Sequence, residues 1–203
     1  MKIYLVRHGK TLQNELGICQ GVSVDSTLNE EGRNQAAKLG TILPKESCIV
    51  FSSPLQRAIE TAKIATGENV IIDENLIEMD FGPMEGKNRE ENLLQAAAAN
   101  VAKPTDLPGV ESLESVNTRI GSFLSKLESF FGQYENAVIV THSGIKGKLL
   151  RQLVSSKLAT LDDTLLDFNF EYVHSKNCSV SRILLDQEGR YHIESVAEDS
   201  HLL

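Results

Sequence analysis

Two of the five histidines stand at the end of a short apolar run of the chain: His8 follows residues 2–6 after Arg7, and His142 directly follows residues 137–141. A neutral imidazole is a nucleophile that can approach an anion near pH 7. Arg7 would disfavour the charged imidazolium of His8 by like-charge repulsion, which keeps a lone pair on one ring nitrogen while the other donates to a backbone carbonyl. These features predict that His8 can carry a phosphoryl group covalently.

A phosphoryl group needs positive charge around its oxygens, because its transfer depends mostly on positioning and charge neutralisation. Arg7 and Arg57 can supply that charge. A guanidinium offers a fork of donors that matches two phosphate oxygens, whereas a lysine offers only a point charge. His142 follows another apolar run, and we expect it to complete the pocket as a further donor to the phosphoryl group.

The residues with this chemistry must be positioned by strands, and several short apolar runs bounded by polar or turn residues predict them. Two further alternating runs near the end of the chain predict strands joined by a turn at residues 186–190. The predicted strands cover residues 2–6, 49–51, 70–72, 137–141, 179–185 and 191–196.

Amphipathic segments between these runs predict helices. One begins after Asn29 and is stopped by Pro44. In the next, Ser53 is expected to cap the helix and Pro54 to occupy its first turn, with Ile64 among the residues that face inward. Further helices are predicted at about residues 96–99, at about 111–131 and after residue 144.

Strands that alternate with helices predict an α/β fold, a three-layer sandwich with a mainly parallel sheet flanked by helices. Such sheets bind ligands beyond the carboxyl ends of their strands, where His8 and His142 stand. The sequence has no internal repeat and no low-complexity linker, so we expect residues 1–203 to form a single domain. Turn-forming residues at about 82–110 predict an inserted, lid-like segment.

The composition argues against several classes of function. Twenty Lys and Arg against twenty-eight Asp and Glu give a net charge of −8, which disfavours binding to nucleic acid or to a membrane surface. No apolar run approaches the roughly 18 residues of a membrane span, and the apolar stretch at the start of the chain is too short for a signal peptide. We therefore expect a cytoplasmic protein. Three cysteines without Cys-x-x-Cys spacing and no His-Glu-x-x-His pattern favour reduced thiols and no metal site.

The order of the motifs resembles the histidine phosphatase superfamily, the phosphoglycerate mutase-like enzymes. The resemblance extends from Ile3 to about Ser181. Its motifs are Arg7-His8-Gly9, Ser52-Ser53-Pro54-Leu55-Gln56-Arg57-Ala58, the acidic Glu78 and His142-Ser143-Gly144. Three positions depart from the family pattern: Ser143 where many members have glycine, Met84 where an aromatic residue is common, and Val110 in place of a second glycine before Glu111.

The resemblance implies a phosphoglycerate mutase-like fold and a phosphatase that works through a phosphohistidine on His8, without a metal ion or cofactor. It also implies that Glu78 protonates the leaving alkoxide and later deprotonates the attacking water, with Asp80 as the competing carboxylate. Arg7, Arg57 and His142 are the implied main contacts to the phosphoryl group. Asn14, Gln20 and Gly21 are implied as additional contacts to its oxygens.

The expected substrate is a small phosphorylated metabolite, but two alternatives to a phosphatase stay open. One is a phosphoglycerate mutase, in which phosphohistidine returns its phosphoryl group to the substrate. The segment 83–108 offers only Lys87, Arg89 and Lys103 for a second acidic group, which favours the phosphatase. The other is a non-catalytic module that binds phosphorylated ligands. The oligomeric state is unknown from the sequence.

Overall fold

The computed structural model describes residues 1–67, 69–155, 159–165, 168–169 and 175–203. Within these residues, one sheet contains seven strands: β1 (Lys2–Arg7), β2 (Cys48–Ser52), β3 (Ile71–Ile72), β4 (Asn136–Thr141), β5 (Ala159–Leu161), β6 (Val180–Leu185) and β7 (Tyr191–Glu198). Their order is β3-β2-β4-β1-β6-β7-β5. The β1–β4, β2–β4, β2–β3 and β5–β7 pairs are parallel, while β1–β6 and β6–β7 are antiparallel.

Helices cover both faces of this sheet, which confirms the predicted three-layer α/β sandwich. They are α1 (Leu12–Glu15), α2 (Glu30–Leu39), α3 (Gln56–Thr66), α4 (Arg89–Ala98), α5 (Leu113–Glu128) and α6 (Ser143–Ser155). Alternate strand residues face opposite sides. Phe51 and Ile139 pack with α5 and α6 in one core, whereas Val50 and Val138 pack with α2 and α3 in the other.

The start of α3 differs from the sequence prediction. The helix begins at Gln56 after Leu55, which caps it without a side-chain hydrogen bond, so Pro54 lies outside the first turn. The hydroxyl of Ser53 instead accepts the amide of Leu55 over 3.3 Å and is bonded to the ring of His142, the residue after β4. Ile64 was expected to face inward but is 39% exposed.

Other element boundaries shift for local reasons. The long helix α5 begins two residues later than predicted, because the Ser112 hydroxyl accepts the backbone N–H of Ser115 and so serves as the N-cap. The edge strand β5 was not predicted, since its three residues are too few to produce a periodic pattern. Among the described residues, no helix is both long and apolar enough to cross a membrane.

The predicted inserted segment at 82–110 contains α4 between two short 3₁₀ turns, Gly82–Met84 and Pro104–Asp106. Backbone hydrogen bonds from Cys19 to Lys87 and from Gly86 to Cys19 attach it to the loop that follows α1. Its other end joins the core where the Glu111 amide donates to the Asp80 carbonyl over 2.7 Å. The segment therefore borders the same edge of the sheet as the predicted site.

Candidate active site

The parallel pairing of β1 with β4 brings the two predicted histidines together. Arg7 is opposite Thr141 in the register, and the next amide, that of His8, donates to the Thr141 carbonyl over 2.9 Å. The ring centroids of His8 and His142 are 5.1 Å apart. Residues more than 130 positions apart in the sequence thus meet at the carboxyl ends of adjacent parallel strands.

The imidazole of His8 is neutral and has one free ring nitrogen. Its side chain is buried, and Nδ1 lies 2.7 Å from the carbonyl oxygen of Gly9. A carbonyl can only accept, so Nδ1 carries the proton and Nε2 keeps its lone pair. Burial lowers the pKa of His8 well below its ordinary value, and the positive charges of Arg7 and Arg57 lower it further.

His142 is also neutral but has the opposite tautomer. Arg57 Nε donates to its Nδ1 over 3.2 Å, and because a guanidinium cannot accept, this nitrogen bears no proton. Nε2 therefore carries the proton and donates to the Ser53 hydroxyl over 2.7 Å. Burial and then the charge of Arg57 hold the pKa of His142 well below its ordinary value. His142 was predicted to donate to the phosphoryl group, and the Nε2 proton that it would use for that contact points at Ser53.

The two arginines differ in the donors they leave available. Arg7 donates through Nη1 to the Ser175 carbonyl, while its Nε is buried and has no hydrogen-bond partner. Arg57 is 1% exposed and donates to Asp25 over 2.8 Å and to the Gly21 carbonyl over 3.0 Å, besides its bond to His142. Arg7 therefore offers an unpaired donor, whereas Arg57 is largely engaged by the protein.

Glu78 lies in a setting that suits a proton donor. Glu78 is 5% exposed, and burial raises the pKa of its carboxyl group. The oxygens accept the amides of Met79 and Gly144 over 2.9 and 3.0 Å. A Cβ at position 144 would lie 2.5 Å from Glu78 Oε1, so a larger residue there would displace the carboxyl group. The competing Asp80 is exposed, with Oδ1 accepting the amide of Gly82.

The three additional predicted contacts belong to the loop around α1. Asn14 Oδ1 accepts the Thr11 amide and the Asn177 side-chain amide, which leaves its own NH₂ group as the donor. Gln20 donates to the Thr11 hydroxyl over 2.9 Å, so part of its amide is already bound by the protein. Gly21 faces the site through its carbonyl, which accepts from Arg57.

Several residues that build the site were missed from the sequence. Asp25 accepts from both Arg57 and the Gln56 amide, and the Ser53 hydroxyl accepts from Nε2 of His142. Glu85 accepts the amides of residues 22–24 and of Phe81, which shapes the loop that faces Arg57. Ser53 stood in the motif at residues 52–58 and Glu85 among the turn-forming residues at about 82–110, but neither was assigned to the site. No group of three or more His, Cys, Asp or Glu side chains in the described ranges is arranged to hold a metal ion.

This α/β sandwich, with a neutral histidine, two arginines and a buried carboxyl group at the carboxyl ends of its strands, is the arrangement of a phosphoric monoester hydrolase. The chain matches the histidine phosphatase superfamily (branch 1) over residues 3–198 and belongs to that family.

Relatives within the family have names that refer to different substrates. The adenosylcobalamin/alpha-ribazole phosphatase of Salmonella typhimurium is 32% identical over 79% of this chain and 83% of that protein. The phosphoglycerate mutase structure from Bacillus anthracis has a TM-score of 0.79 and 27% identity, covering 100% of this chain and 95% of that one. The Entamoeba histolytica phosphoserine phosphatase in complex with 3-phosphoglyceric acid has a TM-score of 0.78 and 25% identity, covering 100% and 99%.

Proposed function

We propose that this protein is a phosphatase that hydrolyses a small phosphomonoester through a phosphohistidine on His8, with no metal ion or cofactor. The observation that carries the proposal is the hydrogen bond from His8 Nδ1 to the Gly9 carbonyl, 2.7 Å long, on a buried ring of lowered pKa. It leaves the Nε2 lone pair available for attack at physiological pH.

In the first step, His8 Nε2 attacks phosphorus and the bond from phosphorus to the ester oxygen breaks. Glu78 gives its proton to the departing oxygen, so the product is a neutral alcohol. The raised pKa of Glu78, caused by its burial, keeps that proton in place above the usual range of carboxyl groups. The unpaired Nε of Arg7 supports this step as a donor to a phosphoryl oxygen.

In the second step, a water molecule attacks the phosphorus of phosphohistidine. Glu78, now a carboxylate, takes a proton from that water, and the bond from phosphorus to nitrogen breaks to restore neutral His8 and release inorganic phosphate. Two guanidinium groups and a neutral nucleophile supply the charge balance that the transferred group requires. These residues support the proposal of a metal-independent reaction.

The proposal is tested by hydrolysis of nitrophenyl phosphate in the presence of a chelator. We expect activity in the wild type and its loss in His8→Ala, while His192→Ala, at a histidine of β7 bound to Asp186, keeps full activity as the matched control. Phosphate that is acid-labile but alkali-stable should be trapped on the wild type and absent from the His8 variant.

Other outcomes separate the alternatives. Full activity in His8→Ala would refute the nucleophile assignment. With 3-phosphoglycerate as the substrate, isomerisation without release of inorganic phosphate would indicate the mutase, and phosphate binding without any turnover would indicate the non-catalytic module.

A further inference from the structure

A pocket of about 420 Å³ opens directly beside Glu78. Val22, Ile77 and Val110 form its apolar lining. Glu78, the proposed donor to the leaving oxygen, is one of its lining residues. The pocket is therefore a candidate site for the part of the substrate attached to that oxygen, the alcohol portion of the ester.

Arg119 is the one cationic residue lining this pocket within the described part of the chain, and its guanidinium has no free donor. Nε and Nη2 donate to the two oxygens of Glu111, each over 3.0 Å. Nη1 donates to two backbone carbonyls and Nη2 to a third, those of Asn75, Ile77 and Glu78. A guanidinium has five N–H donors, so all of them are engaged.

The remaining charges of the pocket are negative. Arg119 and Glu111 neutralise each other in an ion pair whose two side chains are each 15% exposed. Asp80 also lines the pocket, and its one described side-chain hydrogen bond is with the amide of Gly82, so its charge has no cationic partner there. A carboxylate or second phosphate entering the pocket would meet this charge without gaining a free cationic donor.

Resting on the proposed phosphatase function, we propose that this pocket selects phosphomonoesters of neutral or positively charged alcohols and rejects those whose alcohol portion carries a second anionic group. The apolar residues contact the carbon skeleton, and Asp80 favours a cation at the rim. The Arg119–Glu111 pair offers neither a free hydrogen-bond donor nor a net positive charge to an anion. The same property works against a mutase, whose substrate must bring a second acidic group beside the transferred phosphate.

Three esters of matched length test the inference: propyl phosphate, 3-aminopropyl phosphate and the phosphate ester of 3-hydroxypropanoic acid. We expect kcat/KM for the first two to exceed that for the anionic ester by about tenfold, the scale of an unpaired charge contact a few ångströms away at a protein surface. An anionic ester hydrolysed as well as the others overturns the inference and leaves the phosphatase intact. Failure of all three and of nitrophenyl phosphate overturns the proposed function instead.

Glu111→Gln tests whether the pocket itself sets this preference. The variant removes the negative partner and frees the charge of Arg119, so we expect the anionic ester to gain about tenfold relative to propyl phosphate. Glu114→Gln removes the same charge from an exposed position of α5 and is expected to leave the ratio unchanged.

The ratio of kcat/KM between two esters within one variant is the decisive quantity, because a general loss of folding or turnover cancels from it. Equal shifts in the two variants would assign the preference to the net charge of the protein and overturn the proposal. An unchanged ratio in Glu111→Gln, measured on folded protein, would do the same.

Discussion

His8 and His142 are both neutral, yet they carry their protons on opposite ring nitrogens. The Gly9 carbonyl accepts a hydrogen bond from the Nδ1–H of His8, whereas Arg57 Nε donates a hydrogen bond to the Nδ1 lone pair of His142. The first arrangement leaves a lone pair suited to attack, and the second leaves an N–H donor suited to bind an oxygen. The nearest hydrogen-bond partner, rather than the identity of the residue, therefore assigns the chemical role of each ring.

Arg57→Ala should reduce kcat/KM on nitrophenyl phosphate. The loss of transition-state stabilisation should be roughly 2–4 kcal/mol, the scale of losing one preorganised donor. Arg57→Lys should recover only part, because a single ammonium cannot replace the fixed fork that bonds His142, Asp25 and the Gly21 carbonyl together.

Arg33→Ala, at a half-exposed arginine paired with Glu60, is the matched control and should retain wild-type kinetics. A Lys variant equal to the wild type would show that a point charge is sufficient at position 57.

Glu78→Gln should lose far more activity on an alkyl phosphate than on nitrophenyl phosphate, because an alkoxide needs a proton to leave and a nitrophenolate does not. With the aryl substrate, phosphohistidine should accumulate, since the variant also lacks the base that activates water.

Burial raises the pKa of Glu78, so wild-type activity on the alkyl ester should persist above the ordinary carboxyl range and fall as the pH rises through that raised pKa. The variant should lack this alkaline decline.

Asp80→Asn provides the comparison for that experiment. Asp80 is exposed, so its variant should not change the dependence on the leaving group. If that dependence followed Asp80→Asn, or if Glu78→Gln lost equal activity on both substrates, the wrong carboxylate would have been assigned as the acid.

At the scale of elements, α6 contains an unusual buried charge one turn after His142. Lys146 is fully buried, and its ammonium donates to the carbonyl and hydroxyl oxygens of Ser179, at the start of the strand beside β1. Burial, followed by the charge of Arg7, lowers the pKa of Lys146 to about 7. The lysine ties α6 to the segment that binds Arg7, and its desolvation opposes folding.

Lys146→Met should therefore be more stable than the wild type at pH 7. The unfolded chain binds a proton at this lysine up to its ordinary pKa of 10.5, while the folded chain releases it above about pH 7. The stability of the wild type consequently gains from rising pH in this window, and the variant does not. The difference in unfolding free energy should narrow by about 2 kcal/mol between pH 7 and pH 9, measured by urea denaturation. A difference independent of pH would mean that the folded protein keeps Lys146 charged throughout.

The elements with strong local patterns could be predicted from the sequence, and the exceptions have physical causes. The apolar run at 137–141 becomes β4 with nearly the same bounds, because a continuous buried run is itself the signal of a central strand. Ser53 was mispredicted as a helix cap, since its hydroxyl bonds the Leu55 amide and the ring of His142, which follows β4. The apolar run at 70–72 likewise predicted β3, which pairs with β2 at Ile71 and Ile72.

At the scale of the whole molecule, the site depends on contacts that join distant parts of the chain. His8, Arg57, Glu78 and His142 could be proposed from motif order, because each stands in a distinctive local sequence. Asn177 could not, since nothing near it in the sequence indicates that it lies beside residues 8–14. Its side-chain amide donates to the carbonyls of His8 and Gly9 and to Asn14 Oδ1, over 3.0 to 3.2 Å.

Asn177 should therefore act as a positioning residue for the nucleophile loop. Its NH₂ group faces three acceptor oxygens. Asn177→Asp would replace this donor by a carboxylate oxygen that repels them, whereas Asn177→Ala would only remove the donor. We expect kcat/KM on nitrophenyl phosphate to fall about tenfold in the alanine variant and further in the aspartate variant, although Asp has nearly the shape of Asn. Asn117→Asp is the matched control, because it adds the same charge at an exposed position of α5. If the aspartate variant were as active as the wild type, the amide of Asn177 would have no part in holding His8, and loss of activity in the alanine variant alone would reflect packing.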